Sequence, residues 1–255
     1  MLRPVQLAAA AAAMVAAFAL PVHAQSMFAR TPSQYLGYGY GNFNWTEFTG
    51  LWDARFGAGN ITQGNTIGSL AGYSALYLDA NQPSTSAFNL SAAEQAEVLS
   101  FMANGGRVYA FGENSSWSSW NNNILGLFGA AAGGSASDFG TPVVNNLLTQ
   151  GVTSINTPAP GAIGTLGPTG VSLFSNNIAA TFGAAQNALV VLDINICDDG
   201  NINNADNRQF CRNIVDYTAG DPINPPSSVP EPGALALLGA GLVGLLTTRR
   251  RANRA

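Results

Sequence analysis

The chain has 255 residues, a formal net charge of −4, no lysine and one histidine, His23. His23 falls in a removable leader, so a Ser-His-Asp triad, a Cys-His pair, a histidine-ligated zinc and a lysine Schiff base are all excluded from the mature protein. The arginines of the body, Arg30, Arg55, Arg107, Arg208 and Arg212, are outnumbered by Asp and Glu, which argues against nucleic acid as a partner.

Residues 1–24 carry Arg3, an apolar stretch over 5–20, and Val22-His23-Ala24 ahead of Gln25. That is the pattern of a secretory signal peptide, which hands the chain to the Sec translocon. Residues 25–220 then form one extracytoplasmic domain, about 200 residues being enough to close a single core. Within it, 25–32 reads as a flexible lead-in and 34–40 (QYLGYGY) as a first strand and turn. Trp45, Phe48, Leu51, Trp52 and Phe56 recur at helical spacing and read as core rather than as a sugar platform. A glycine-rich turn over 57–68 leads to 73–79 (YSALYLD), an apolar run that fits a strand buried on both faces of a parallel sheet.

Ser91 and Glu94 form a capping box, which starts a helix expected to bury Ala93, Ala96, Leu99 and Met102 or their neighbours. Asn104-Gly105-Gly106 stops it, and 107–111 (RVYAF) is the next strand. Strand, helix and strand in this order make a right-handed crossover, so the sheet is at least partly parallel. A helix over 121–128 follows, then a small-residue loop over 130–140 and a short helix over 143–148. Two short paired strands come next, 171–174 and 178–182, followed by an apolar strand over 189–193 and a last helix over 205–218. Residues 221–228 are a proline-rich linker.

Two cysteines in an oxidising compartment, Cys197 and Cys211, make a disulfide the default, with buried free thiols or metal binding as the alternatives. Asp79, Glu113 and Asp193 each end an apolar strand and form a candidate ligand rim. They either cap the next turn or supply the acid and base of a glycosidase. Asp193, Asn195, Asp198, Asp199, Asn201 and Asp206 offer enough oxygens for calcium, the alternative being a polar loop pinned by the disulfide. Trp117 and Trp120 are either loop anchors or an exposed carbohydrate-contacting patch.

Val229-Pro230-Glu231-Pro232-Gly233 is followed by an apolar run over 233–248 that is just long enough for a transmembrane helix, and then by Arg249, Arg250 and Arg251. Together, residues 229–255 resemble the PEP-CTERM sorting signal. The resemblance implies that an exosortase in a Gram-negative bacterium cleaves near Pro230. It also implies an inner-membrane-anchored precursor that ends at the cell surface or outside the cell, in envelope or biofilm exopolysaccharide. The body, with YSALYLD, MANGGRVYAFGEN, NILGLFG, ALVVLDINI and DNRQFCRNIVDY, resembles the class I glutamine-amidotransferase-like domains. That likeness implies a flavodoxin-like, Rossmann-like α/β fold with a mostly parallel sheet flanked by helices. At the elbow where those enzymes place cysteine the chain reads Gly112-Glu113-Asn114-Ser115-Ser116, so the expectation is a degenerate relative without catalysis. The expected role is a non-catalytic binding or structural module, with a carboxylate-dependent hydrolase of extracellular polysaccharide as the alternative.

Overall fold

A computed structural model describes residues 25–32, 37–79 and 86–224. The signal peptide, the apolar run over 233–248 and the sorting motif lie outside the described residues. So do 34–36 of the expected first strand and turn and 225–228 of the linker. Among the described residues no helix is long and apolar enough to cross a membrane.

The body is built on a seven-stranded sheet in the order β2-β1-β3-β4-β11-β10-β9. Its strands are β1 (Met27–Arg30), β2 (Ile61–Gly64), β3 (Ala75–Leu78), β4 (Arg107–Phe111), β9 (Val171–Ser172), β10 (Ala179–Phe182) and β11 (Ala188–Val191). The pairs β1 with β2, β1 with β3, β3 with β4 and β4 with β11 are parallel, whereas β10 and β9 close one edge antiparallel. Helices α1 (Thr46–Phe56), α2 (Ala92–Ala103), α3 (Ser118–Gly126) and α4 (Asn207–Thr218) cover the sheet.

Alternation along the strands sorts the core into two layers. Tyr77, Tyr109, Phe111, Leu189 and Val191 pack with Phe48, Trp52 and Phe56 of α1 and with Phe210 and Ile214 of α4. Their neighbours Leu76, Leu78, Val108, Ala110 and Val190 pack with Val98 and Phe101 of α2 and with Trp120 and Ile124 of α3. Successive side chains on a strand point to opposite faces, so a sheet covered on both faces needs apolar residues at every position. That is why β3, β4 and β11 read as unbroken apolar runs. The chain runs outward from β1 to β2 by way of α1, then from β3 through α2 to β4 on the other side. Right-handed crossovers in opposite directions put α1 and α2 on opposite faces, and the order reverses between β1 and β3.

The first strand is Met27–Arg30, inside the expected lead-in, and the described part of 34–40 is a turn with Gly37 and Gly39 at positive φ. Met27 and Ala29 are fully buried between β2 and β3, a placement that only the tertiary pairing reveals. The turn expected over 57–68 contains edge strand β2, and its polar residues fit because one of its sides stays unpaired. The loop expected over 130–140 contains β5 (Ala131–Ser135), paired with β8 (Gly161–Thr165), and β6 (Phe139–Gly140), paired with β7 (Ile155–Asn156). Gly133 and Gly164 let the first pair touch backbone to backbone: a Cβ on Gly133 would lie 2.6 Å from Gly164 Cα. Only a short 3-10 turn, Leu147–Thr149, stands where a helix was expected over 143–148. Along 171–182 the two expected strands are present as β9 and β10, antiparallel to each other.

Helix α2 has the expected capping box, but the buried residues are Glu94, Val98 and Phe101, and Leu99 is 44% exposed. The three buried residues are neighbours of Ala93, Leu99 and Met102, and the Glu94 carboxylate is drawn inward. Glu94 Oε1 accepts from Arg30 Nε at 3.1 Å and from the Ile67 amide at 3.0 Å, while Oε2 accepts from the Ser91 amide at 2.9 Å. Both side chains of the ion pair are less than a tenth exposed. Removing the charge from one partner of such a pair strands the other, so Glu94→Gln is expected to cost about 3 kcal/mol or more in urea unfolding. Glu47→Gln, which breaks the half-exposed pair with Arg208, is expected to cost less than about 1 kcal/mol.

Candidate functional site

The three strand-end carboxylates follow β3, β4 and β11, which are consecutive in the sheet, so they lie at one end of it. After β4 the chain turns sharply at Gly112, where a Cβ would lie 2.3 Å from Asn121 Oδ1 and 2.5 Å from Leu192 Cδ2. Asn121 of α3 holds this elbow: its Oδ1 accepts from the Glu113 amide at 3.2 Å, and its Nδ2 donates to the Glu113 carbonyl at 2.6 Å. Asn121 is 1% exposed and was not singled out from sequence; the run Asn121-Asn122-Asn123 gave a helix but no role. Asn114 Oδ1 accepts from the Ser116 amide at 3.0 Å and starts the next turn.

Glu113 and Asp193 are 3% and 0% exposed. Glu113 Oε2 accepts from the Ile194 amide at 2.9 Å and from Asn195 Nδ2 at 3.4 Å, and Oε1 accepts from the Asn114 amide at 3.2 Å. Asp193 Oδ1 accepts from the Asn195 amide at 2.8 Å, and Oδ2 from the Ala159 amide at 3.4 Å. The start of β8 lies across the elbow. Gly161 donates to the Leu192 carbonyl at 2.7 Å, and a Cβ on it would lie 2.3 Å from the Glu113 carbonyl oxygen. The third carboxylate, Asp79, is 1% exposed and is covered by the turn after β1: a Cβ on Gly39 would lie 2.3 Å from Asp79 Oδ2. All three therefore sit beneath the rim, under chain from other parts of the fold.

Burial, followed by the Asp193 charge, pushes the Glu113 carboxyl up to about 8. Burial pushes Asp193 up to about 7, and the nearby Asp198 charge adds to the shift. Among the described residues no arginine forms an ion pair with either group, and burial favours their protonated forms. The Tyr77 and Tyr109 phenols are raised too, first by burial and then by the Asp79 charge.

The oxygens proposed for calcium are spread over separate structural tasks. Asp199 caps α1 from a distant segment, accepting from the Thr46 amide at 3.1 Å and the Glu47 amide at 2.9 Å. Asp206 accepts from the Thr153 amide at 2.7 Å and the Ser154 amide at 3.2 Å. Asp198 accepts from the Asn201 amide at 2.7 Å, whereas Asn195 serves Glu113. Among the described residues no group of three or more His, Cys, Asp or Glu is placed to hold a metal ion. The expected disulfide joins Cys197 and Cys211 with their Cα atoms 6.0 Å apart, tying the turn Ile194–Cys197 to α4. Trp117 and Trp120 are 5% and 1% exposed, which corrects the exposed-patch reading: Trp120 Nε1 donates to the Phe111 carbonyl and anchors α3 to the sheet.

Fold and rim together define a doubly wound α/β protein with a closed carboxylate rim. Its address is explicit: residues 228–251 match the PEP-CTERM protein-sorting motif, which marks the chain as an exosortase substrate, exported by way of a membrane-anchored precursor to the cell surface. No curated protein matches the chain. Among solved structures, the mmIFT52 N-terminal domain is similar with a TM-score of 0.57 and 15% identity, over 77% of this chain and 98% of that one. At that identity the likeness is one of fold.

Both raised carboxyls bind protons more tightly folded than unfolded. Their stabilising contribution is whole below the unfolded value near pH 4 and is lost as pH rises through about 7 to 8. Unfolding free energy is expected to fall by an amount on the order of 3 kcal/mol between pH 5 and pH 9, and Glu113→Gln is expected to flatten that fall.

Proposed function

We propose that the α/β body is a non-catalytic binding or structural module of the bacterial envelope or biofilm matrix, delivered through the Sec translocon and released from the inner membrane by exosortase. The observation that carries this reading is the closed rim. The Asp79, Glu113 and Asp193 carboxylates lie where an open parallel sheet would present its ligand-binding groups, and each is buried under Gly39 or under the chain around Ala159 and Gly161. Amides of Asn114, Ile194, Asn195 and Ala159 occupy the Glu113 and Asp193 oxygens, a turn-capping use of the carboxylates.

A second reading, a hydrolase of extracellular polysaccharide, draws on the raised proton affinity of Glu113 beside Asp193. It requires the chain over 159–161 to move away before any sugar reaches the pair. Release of reducing ends from matrix polysaccharide, abolished by Glu113→Gln, would establish that reading and remove the first.

The module reading is tested by following the chain in cells with and without exosortase, beside a variant with Pro230, Glu231 and Pro232 replaced by alanine. Expected is a chain trimmed near Pro230 and recovered with surface matrix only when enzyme and motif are both intact. Surface recovery that is indifferent to both would overturn the sorting step, and a trimmed chain that washes free of the matrix would overturn the module.

A further inference from the structure

At the other end of the sheet, below the amino ends of β3 and β4, lies a cleft of about 580 Å³. One wall is the segment that leads into β3, with Ser69 and Tyr73; the facing wall is the last turn of α2, with Glu97, Ser100 and Asn104. Both walls are held in place without a ligand. Glu97 Oε1 accepts from the Leu70 amide at 2.7 Å, tying one wall to the other. Ser26 Oγ donates to the Gly72 carbonyl at 2.8 Å, Ser74 Oγ donates to the Ser26 carbonyl at 3.0 Å, and the Arg107 amide donates to the Ser74 carbonyl at 3.1 Å. Phe28 meets the Tyr73 ring edge-on at 5.6 Å. Gly72 and Gly105, at φ +90 and +88, leave bare backbone at the two lips, with nothing within 4 Å of where a side chain would begin.

The lining chemistry selects a ligand class. Hydroxyls, a carboxamide and exposed backbone supply donors and acceptors and the Glu97 carboxylate accepts, which suits a ligand whose every substituent both donates and accepts. An aromatic ring offers an apolar face beside them. Among the described residues no arginine lines the cleft, so an anion meets no counter-charge from them and does meet Glu97. A volume within the roughly 300–1,000 Å³ of small-molecule sites accommodates a short oligomer. Glu97 is the one carboxylate among the described lining residues and is tied to Leu70, so these residues do not supply the pair of acids that glycoside cleavage needs.

We infer that this cleft between the end of α2 and the segment before β3 is a binding site for a neutral oligosaccharide. The inference deepens the module reading above and rests on it. The test uses the mature protein recovered from the cell surface, titrated calorimetrically with neutral gluco- and galacto-oligosaccharides, with oligogalacturonate as the anionic counterpart and a neutral peptide as the non-sugar one.

Two blocking substitutions approach the cleft from opposite walls, Ser100→Trp and Ser69→Trp, both at exposed positions. Ala184→Trp blocks a separate apolar cleft beside Leu99 and Phe128 and serves as control. Expected is binding of at least one neutral oligosaccharide that weakens tenfold or more in both blocking variants and is unchanged in the control, with thermal midpoints preserved in all three. Binding that survives both variants would overturn the site while leaving a binding module elsewhere on the body. Preference for the anionic sugar or the peptide would overturn the ligand class. Absence of binding to every probe would overturn the inference, and the matrix-recovery experiment then decides whether the module reading falls with it.

Discussion

One buried guanidinium ties together the place where the sheet changes direction. Arg30 ends β1, the strand from which the chain first builds outward to β2 and next to which β3 starts the opposite half. Its Nε donates to Glu94 at the start of α2, its Nη1 donates to the Phe88 carbonyl at 3.0 Å, and its plane lies 5.8 Å from the Trp120 ring of α3. Glu94 in turn collects the Ile67 amide and closes its own helix cap. One side-chain pair therefore fixes β1, the segment before β3, α2 and α3 against each other. A buried charge tolerates little displacement once its partners are set, because any shift leaves it unpaired in an apolar surround.

The same constraint explains why carboxylates in this molecule split into two kinds. Burial alone raises the Glu94 pKa, but the amides of Ile67 and Ser91 and the Arg30 charge outweigh it and hold the group below the usual carboxylate range. Glu113 and Asp193 also have amide donors but lie deeper than Glu94, so burial outweighs those donors and they move the other way. In a chain without lysine, and with its one histidine in the leader, a buried acid that lacks an arginine partner is neutralised by proton uptake. Composition thus acts directly on the electrostatics of the rim: the scarcity of cations makes the pair responsive to pH.

Strands buried on both faces were legible in the sequence because burial from both sides leaves an unbroken apolar run, as in Ala75–Leu78 and Ala188–Val191. The α2 cap was legible because a capping box is a local, four-residue arrangement. The cysteine pair was legible from compartment and count. The first strand was hidden, since Met27–Arg30 is short and ends in an arginine whose charge is satisfied by a residue 64 positions away. The small-residue pair β5 and β8 was hidden for a related reason: glycine and alanine carry no period, and Gly133 and Gly164 matter only through each other. At the rim, the three carboxylates were visible as strand ends, but their burial was not. Coverage by Gly39, Ala159 and Gly161 depends on chain far from each acid in sequence.

That coverage bears on where an open α/β sheet can meet a ligand. Such sheets place ligands beyond the carboxyl ends of their strands because the helix amino ends and free loops gather there. Here the segment from β5 to β8 returns across those ends, and Gly161 is fitted so closely over the elbow that even a methyl group would strike the Glu113 carbonyl. With that end occupied by the chain's own backbone, the binding role proposed above would use surface elsewhere. Loops at the amino ends of the strands are the other set that a doubly wound fold leaves free to vary, and in this protein they are braced by Ser26, Ser74 and Glu97 into fixed walls. Walls set before binding would spare a ligand the cost of ordering them, so on the proposed reading modest hydroxyl and amide contacts would suffice without any strongly charged group.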